Sequence, residues 1–336
     1  MGMIEDSEDL FDFSHDHDHS HDKTEVKPRK YEVVYTNLLT FGYGHIGALY
    51  GLYLACTVAK WTTIFFALGL YYAGILGITA GAHRLWSHRT YKAKMPLQII
   101  LMILNTIAFQ NTAYTWIRDH RLHHKYSDTD ADPHNATRGF FFSHVGWLLV
   151  RKHEDVKKYG KLIDMSDIEN NPVLRFQKKY ALPWCGMVCF VLPTLIPMYC
   201  WGESLNCAWH IAVVLRYVAN LNVTFLVNSA AHIWGYKPYD KNMLPGENIS
   251  VAIASFGEGF HNYHHTFPWD YRAAELGNNR LNLTTAFIDF FASIGWAYDL
   301  KSVTKTHIEA RKKRTGDGSN FSWLDKETVT EDQKDR

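Results

Sequence analysis

Two stretches near the start of the chain set the first limit on what it can become. Thr36 to Ala59 carries no formally charged side chain, and after a single Lys60 neither does Trp61 to Ala82. Each exceeds the roughly 20 residues that cross the core of a bilayer as a helix. In lipid a backbone must satisfy its own polar groups, so both fold as helices, and with so little chain between them they form a hairpin. Tyr180 to Gly202 is a third span. Leu205 to Trp234 is a fourth, interrupted by Arg216, which must face other helices or snorkel. Mean hydropathy is slightly negative only because polar ends are averaged with these spans.

The histidines say what the spans carry. Gly257-Glu-Gly-Phe-His-Asn-Tyr-His-His265 holds imidazoles at n, n+3 and n+4, which fall on one face of a helix. Asp119-His120-Arg-Leu-His123-His124 repeats that spacing, and Gly81-Ala-His83-Arg-Leu-Trp-Ser-His88 adds a pair. His83 and His88 point roughly 140° apart on an ideal α-helix, so they reach one site only if the helix ends or bends between them. His232 closes the fourth span, with Asn228 one turn earlier on the same face. Eight imidazoles in three clusters exceed one tetrahedral zinc site and suggest two metals. His45, His134, His144, His153, His210 and His307 stand alone and read as structural or surface residues.

Met95 to Gln110 is apolar enough to span, but an odd crossing would put His88 and His120 on opposite sides of the membrane. We therefore place it at the interface or against the bundle, together with Leu283 to Leu300. Lys27, Arg29 and Lys30 precede the first span, Arg84, Arg89, Lys92 and Lys94 follow the second, and Arg311-Lys-Lys-Arg314 lies in the tail. The other loops hold only Lys60 and Glu203, so both chain ends and every cluster face the cytosol. The sequons at Asn135, Asn222, Asn248, Asn282 and Asn320 are then out of reach of glycosylation.

Residues 1–30, with their His/Asp run, read as a disordered acidic tail without a cleaved signal peptide. One domain without internal repeats covers 31–308, and 309–336 forms a charged, disordered tail. A net charge of +1 argues against a nucleic-acid partner. The cysteines Cys56, Cys185, Cys189, Cys200 and Cys207 lie in apolar stretches and read as small buried hydrophobes.

The set His83-x4-His88, His120-x2-His123-His124 and His261-x2-His264-His265, with Asn228-Ser-Ala-Ala-His232, resembles the membrane acyl-CoA desaturases of the stearoyl-CoA desaturase type. Arg118-Asp-His-Arg121, Asp132-Pro-His134, Phe142-Ser-His-Val-Gly-Trp147 and Phe267-Pro-Trp-Asp-Tyr-Arg272 match as well. The resemblance runs from about residue 31 to 310 and is strongest to insect members, including those making moth pheromone precursors. It implies an all-α membrane protein, four transmembrane helices (about 36–59, 61–82, 180–202 and 205–234) under a cytosolic helical cap. It also implies a di-iron centre on the nine histidines of these motifs, with Asn228 meeting one metal through water.

The family inserts a double bond into fatty acyl-CoA at the endoplasmic reticulum, using O2 and electrons from cytochrome b5 and its NADH-dependent reductase. This chain has no His-Pro-Gly-Gly haem motif, so its donor is expected to be a separate protein. By resemblance Gln110, Asn111, Arg118 and Asp119 lie near the acyl head and the kink. Arg151 and Lys152 meet CoA phosphates, Thr224 and Phe225 line the kink, and Tyr71 shapes the far end. Phe225 stands where vertebrate enzymes have Trp. Δ11 is slightly favoured over Δ9, because Leu244-Pro245 in Met243–Glu247 leans to the Δ11 type while Gly246-Glu247 does not complete it.

The alternatives are a His-box hydroxylase or alkane oxygenase, and a membrane metal transporter. Transporters place ionisable ligands near the bilayer midplane, whereas these clusters follow span ends. A metalloprotease lacks its His-Glu-x-x-His.

Overall fold

The computed structural model describes residues 31–275 and 281–319. The expected tail over 1–30, with Lys27, Arg29 and Lys30, lies outside the described residues, as does Asn320. Among the described residues the named elements are helices apart from β1 (Lys92–Ala93), which pairs antiparallel with β2 (Ala297–Tyr298).

Helix α1 covers Tyr35–Thr57 and is 23 residues long. Three further helices are long and apolar enough to cross a membrane: α2 (Trp61–Ser87), α5 (Ala181–Trp201) and α6 (Leu205–Ile233). Their bounds follow the sequence expectation, except that α2 continues past Ala82 to carry His83. Helix α1 is uncharged but less apolar, because glycines, tyrosines, Asn37 and His45 dilute it. Small residues let α1 approach α6: a Cβ on Gly51 would stand 2.2 Å from the His210 carbonyl oxygen. Such close backbone contact is how helices associate in lipid, where apolar burial drives little.

The amphipathic α3 (Met95–Ala108) is 14 residues long, opens on Pro96 and ends at Phe109 in a left-handed conformation (φ 53°). At 1.5 Å per residue it falls short of a crossing. It lies against α2, where a Cβ on Gly77 would stand 2.1 Å from Asn105 N. Arg216 of α6 is 3% exposed and donates to Ile107 O, to Cys189 O (3.2 Å) and to Ala212 O (3.2 Å). The arginine inside α6 thus serves carbonyls at the end of α3 and in the wide turns of α5.

At the other end of these helices the connections clasp each other. Glu203 accepts from Lys60 N (3.0 Å) and Thr63 Oγ1 (2.7 Å), and Lys60 Nζ donates to Trp201 O (2.6 Å). Among the other helices are α4 (Ala113–Lys125) and α7 (His261–Thr266), which carry histidines, and α8 (Leu283–Ser293) and α9 (Lys305–Thr315). Side-chain caps start three of them, Thr112 for α4, Asn282 for α8 and Thr304 for α9.

Two expectations are corrected. The chain beyond Ile308 is helical to Thr315, held by Arg311 to Asp240 and by Thr315 Oγ1 donating to Tyr239 O (2.6 Å). Of the cysteines only Cys185, Cys189 and Cys207 are buried; Cys56 and Cys200 are exposed on the apolar helices.

Candidate metal centre

The last turns of α2 decide whether His83 and His88 can cooperate. From Gly77 to Ser87 the helix widens to π-type winding, and His88 N donates to His83 O, five residues back, at 3.1 Å. In that winding n and n+5 lie about one turn apart. The two rings stand 4.9 Å from each other. The helix therefore loosens and then ends at Ser87, with His88 as its C-cap.

Nine imidazoles meet in two groups, within each of which the ligand atoms lie within 4.8 Å of one another. One comprises His83, His88, His120, His124 and His264; the other comprises His123, His232, His261 and His265. Each triplet is divided. Helix α4 sends its i, i+4 pair His120 and His124 to the first group and His123 to the second. Helix α7 does the converse, sending His264 to the first group and the pair His261 and His265 to the second. The groups touch where the His124 and His265 rings stack at 4.2 Å.

The donor set fits two cations. The Nε2 atoms converge: His88 and His120 at 2.7 Å, His83 and His264 at 2.9 Å, His232 and His261 at 3.0 Å. Two rings have their protons fixed on the far side, because Nδ1 of His123 and His232 hydrogen-bonds Asp132 (2.9 Å) and Asp128 (3.2 Å), while Nδ1 of His83 stands 2.8 Å from Glu258. Nε2 of His123 and His232 is then a bare lone pair aimed into the group, the form in which a neutral imidazole ligates a cation. Burial, reinforced by neighbouring imidazoles and cations, pushes His88, His120, His124, His261, His264 and His265 well below 6.5, so they stay neutral ligands. His123 is the exception, raised because Asp132 outweighs its burial.

Glu258 also binds the Arg84 guanidinium at 2.7 Å. Burial alone would raise its pKa, but Arg84 and His83 hold it below the usual value. Glu258, Asp128 and Asp132 were not singled out from sequence as partners of ligands; only their closeness in the chain to histidines hinted at it.

Beside the imidazoles lies a small, partly open cavity of about 50 Å³. Ile75, Ile78 and Thr79 of α2 line one wall and Val223, Thr224, Val227 and Asn228 of α6 another, with His83, His120, His123 and His261 at its head. It is narrow and apolar, with polar groups gathered at the metal end. A shallower apolar hollow at Phe176, Tyr180, Pro183 and Trp184 contains no histidine.

Of the residues tied to substrate by resemblance, Thr224 lines the cavity. Gln110 backs it, donating from Nε2 to Thr224 Oγ1 (2.8 Å) and accepting from Trp116 Nε1 (3.3 Å). Phe225 packs against His144 (5.9 Å) and Trp147 (6.0 Å). Arg118 pairs with Asp119 (2.9 Å), which also holds Lys152, while Asn111 and Arg151 are exposed. Tyr71 lies beyond the cavity's lining.

A model of the fatty acid desaturase family matches residues 59–276. The chain belongs to the fatty acid desaturase family. It is accordingly an oxidoreductase of lipid metabolism. It is 69% identical over 306 residues to an acyl-CoA Delta(11) desaturase of Spodoptera littoralis, covering 91% of this chain and 90% of that one. It is 65% identical over 295 residues to a (11Z)-hexadec-11-enoyl-CoA conjugase of Bombyx mori, covering 88% and 89%. An acyl-CoA Delta-9 desaturase of Acheta domesticus is 60% identical over 308 residues, 91% of this chain and 86% of the relative.

Proposed function

We propose that the chain is a fatty acyl-CoA desaturase of the endoplasmic reticulum membrane, acting on saturated C14–C18 chains at Δ11 or Δ9. The observation that carries this is a narrow apolar cavity ending on two all-imidazole groups. An unactivated methylene offers no acid, leaving group or polar handle, so two iron ions with O2 as co-substrate supply the oxidising power. In net terms two hydrogens leave adjacent carbons and, together with O2, two electrons and two protons, become two waters.

The protein's share is positional. Glu258, Asp128 and Asp132 orient three ligand rings. Asn228, one turn before His232, suits a water-mediated contact to the group with four imidazoles. Thr224, Gln110 and Trp116 hold the wall against which the acyl chain bends, so that one carbon pair rests at the metals. Arg118, Asp119, Arg151 and Lys152 receive the polar thioester and CoA end, with cations available for phosphates.

Helix α1 serves as the fourth span beside the three apolar helices. The Lys60–Glu203 clasp marks one membrane face and the histidines the other; basic residues put the histidines, both termini and the helical cap in the cytosol. Cytochrome b5 and its NADH-dependent reductase are the separate electron donors.

Expression in yeast lacking its own desaturase, with double bonds located by gas chromatography and mass spectrometry, tests this reading. Monounsaturated C14–C18 acids at Δ11 or Δ9 support it. A hydroxy acid in their place, or no new product, would contradict it.

A further inference from the structure

The cavity is lined down to Ile75 on α2 and Val223 on α6. One turn further from the imidazoles, Asn220 of α6 faces Tyr71 and Gly74 of α2. Asn220 is completely buried. Its Nδ2 donates to Tyr71 O (3.3 Å), and its Oδ1 accepts from Gln110 Nε2 (2.9 Å). A Cβ on Gly74 would stand 2.8 Å from that Nδ2, so the amide lies directly against the α2 backbone. Gln110 in turn touches two cavity-lining side chains, Thr224 (2.8 Å) and Trp116 (3.3 Å).

A buried amide inside an apolar helix is costly unless its polar atoms are used, and an aliphatic residue would fill the same space. Here both ends are used, and they tie α2 to α6 immediately beneath the cavity. An acyl chain has no feature along its length by which to be gripped. The carbon pair presented to the metals is therefore set by where the head is anchored and how much tail the slot accepts below.

We propose that Asn220 is a positioning residue for specificity: it closes the slot between α2 and α6 and, through Gln110, fixes the wall at which the chain bends. It thereby selects double-bond position and chain length without touching the reacting atoms. This inference rests on the acyl-chain reading of the cavity given above.

The test uses the full chain in desaturase-deficient yeast, as wild type, Asn220→Val and Asn220→Ser. Both substitutions remove the bond to Tyr71 O, and Ser leaves a hydroxyl to satisfy its surroundings. Positional isomers and the C16:C18 product ratio are read together with iron per purified chain. The expected result is wild-type iron content with isomer or chain-length ratios shifted by about tenfold, the scale on which one misplaced methylene is discriminated. Unchanged ratios in both variants would overturn the proposal. So would loss of iron in both, which would make Asn220 a residue of the fold alone. A wild-type chain that makes no alkene would instead sink the desaturase reading itself.

Discussion

Glu258 Oε2 stands 2.8 Å from His83 Nδ1 while its Oε1 accepts from Arg84 Nη2 at 2.7 Å. One carboxylate thus sits against a ligand ring and neutralises a cation that is 1% exposed. In Glu258→Gln the amide cannot serve both partners. Metal affinity is expected to fall by about 10- to 100-fold, the usual cost of losing a carboxylate behind a ligand histidine. Iron retained after dialysis against a graded chelator measures this, and wild-type retention would show that Arg84 alone needs the carboxylate.

The contact between α2 and α3 leaves no room for a side chain at Gly77, whose added Cβ would meet Asn105 N at 2.1 Å and Leu104 C at 2.2 Å. Backbone cannot move aside as a flexible side chain can. Gly77→Ala is expected to abolish the monodisperse folded protein in detergent, because α3 must separate from the helix that carries His83. Gly69→Ala, with nothing within 4 Å of the new methyl, is the matched control. Size-exclusion profiles of the two, compared with wild type, decide it.

Glu247 is a buried carboxyl outside the spans that accepts from Tyr263 N at 2.7 Å, at the start of α7. Burial pushes its pKa from 4.5 up to about 8. Between these values the folded chain holds a proton that the unfolded chain has released, so this group makes stability fall as pH rises from 4.5 through 8. Glu247→Gln keeps an acceptor for Tyr263 without the titration. Melting temperatures across that window are expected to decline less steeply for the variant; parallel curves would place the slope on another group.

Much of this was legible before the fold. The uncharged runs located α1, α2, α5 and α6 to within a few residues, except for the continuation of α2. Two n, n+3, n+4 triplets announced the metal groups, because helical spacing alone puts those rings together. Spacing could not say that His123 parts from His120 and His124, since that depends on which neighbouring helix each ring meets. The π-type winding over Gly77–Ser87 was equally hidden, for the local sequence carries no signal of a register imposed by packing on α3. Helix α9 is polar on all sides, so no apolar periodicity revealed it; its docking on Asp240 and Tyr239 does the work.

The division of each triplet makes a sharper demand. His264 belongs to the group of five and His265 to the group of four, although they are neighbours in sequence. Replacing either is expected to weaken one metal site more than the other. Distinct Mössbauer components lost from His264→Ala and from His265→Ala would report this; loss of the same component from both would refute the division.

Counting metal in the purified full-length chain tests the central claim most directly. Two iron ions per chain are predicted by five imidazoles in one group and four in the other. A single ion per chain, or zinc in place of iron, would contradict the account.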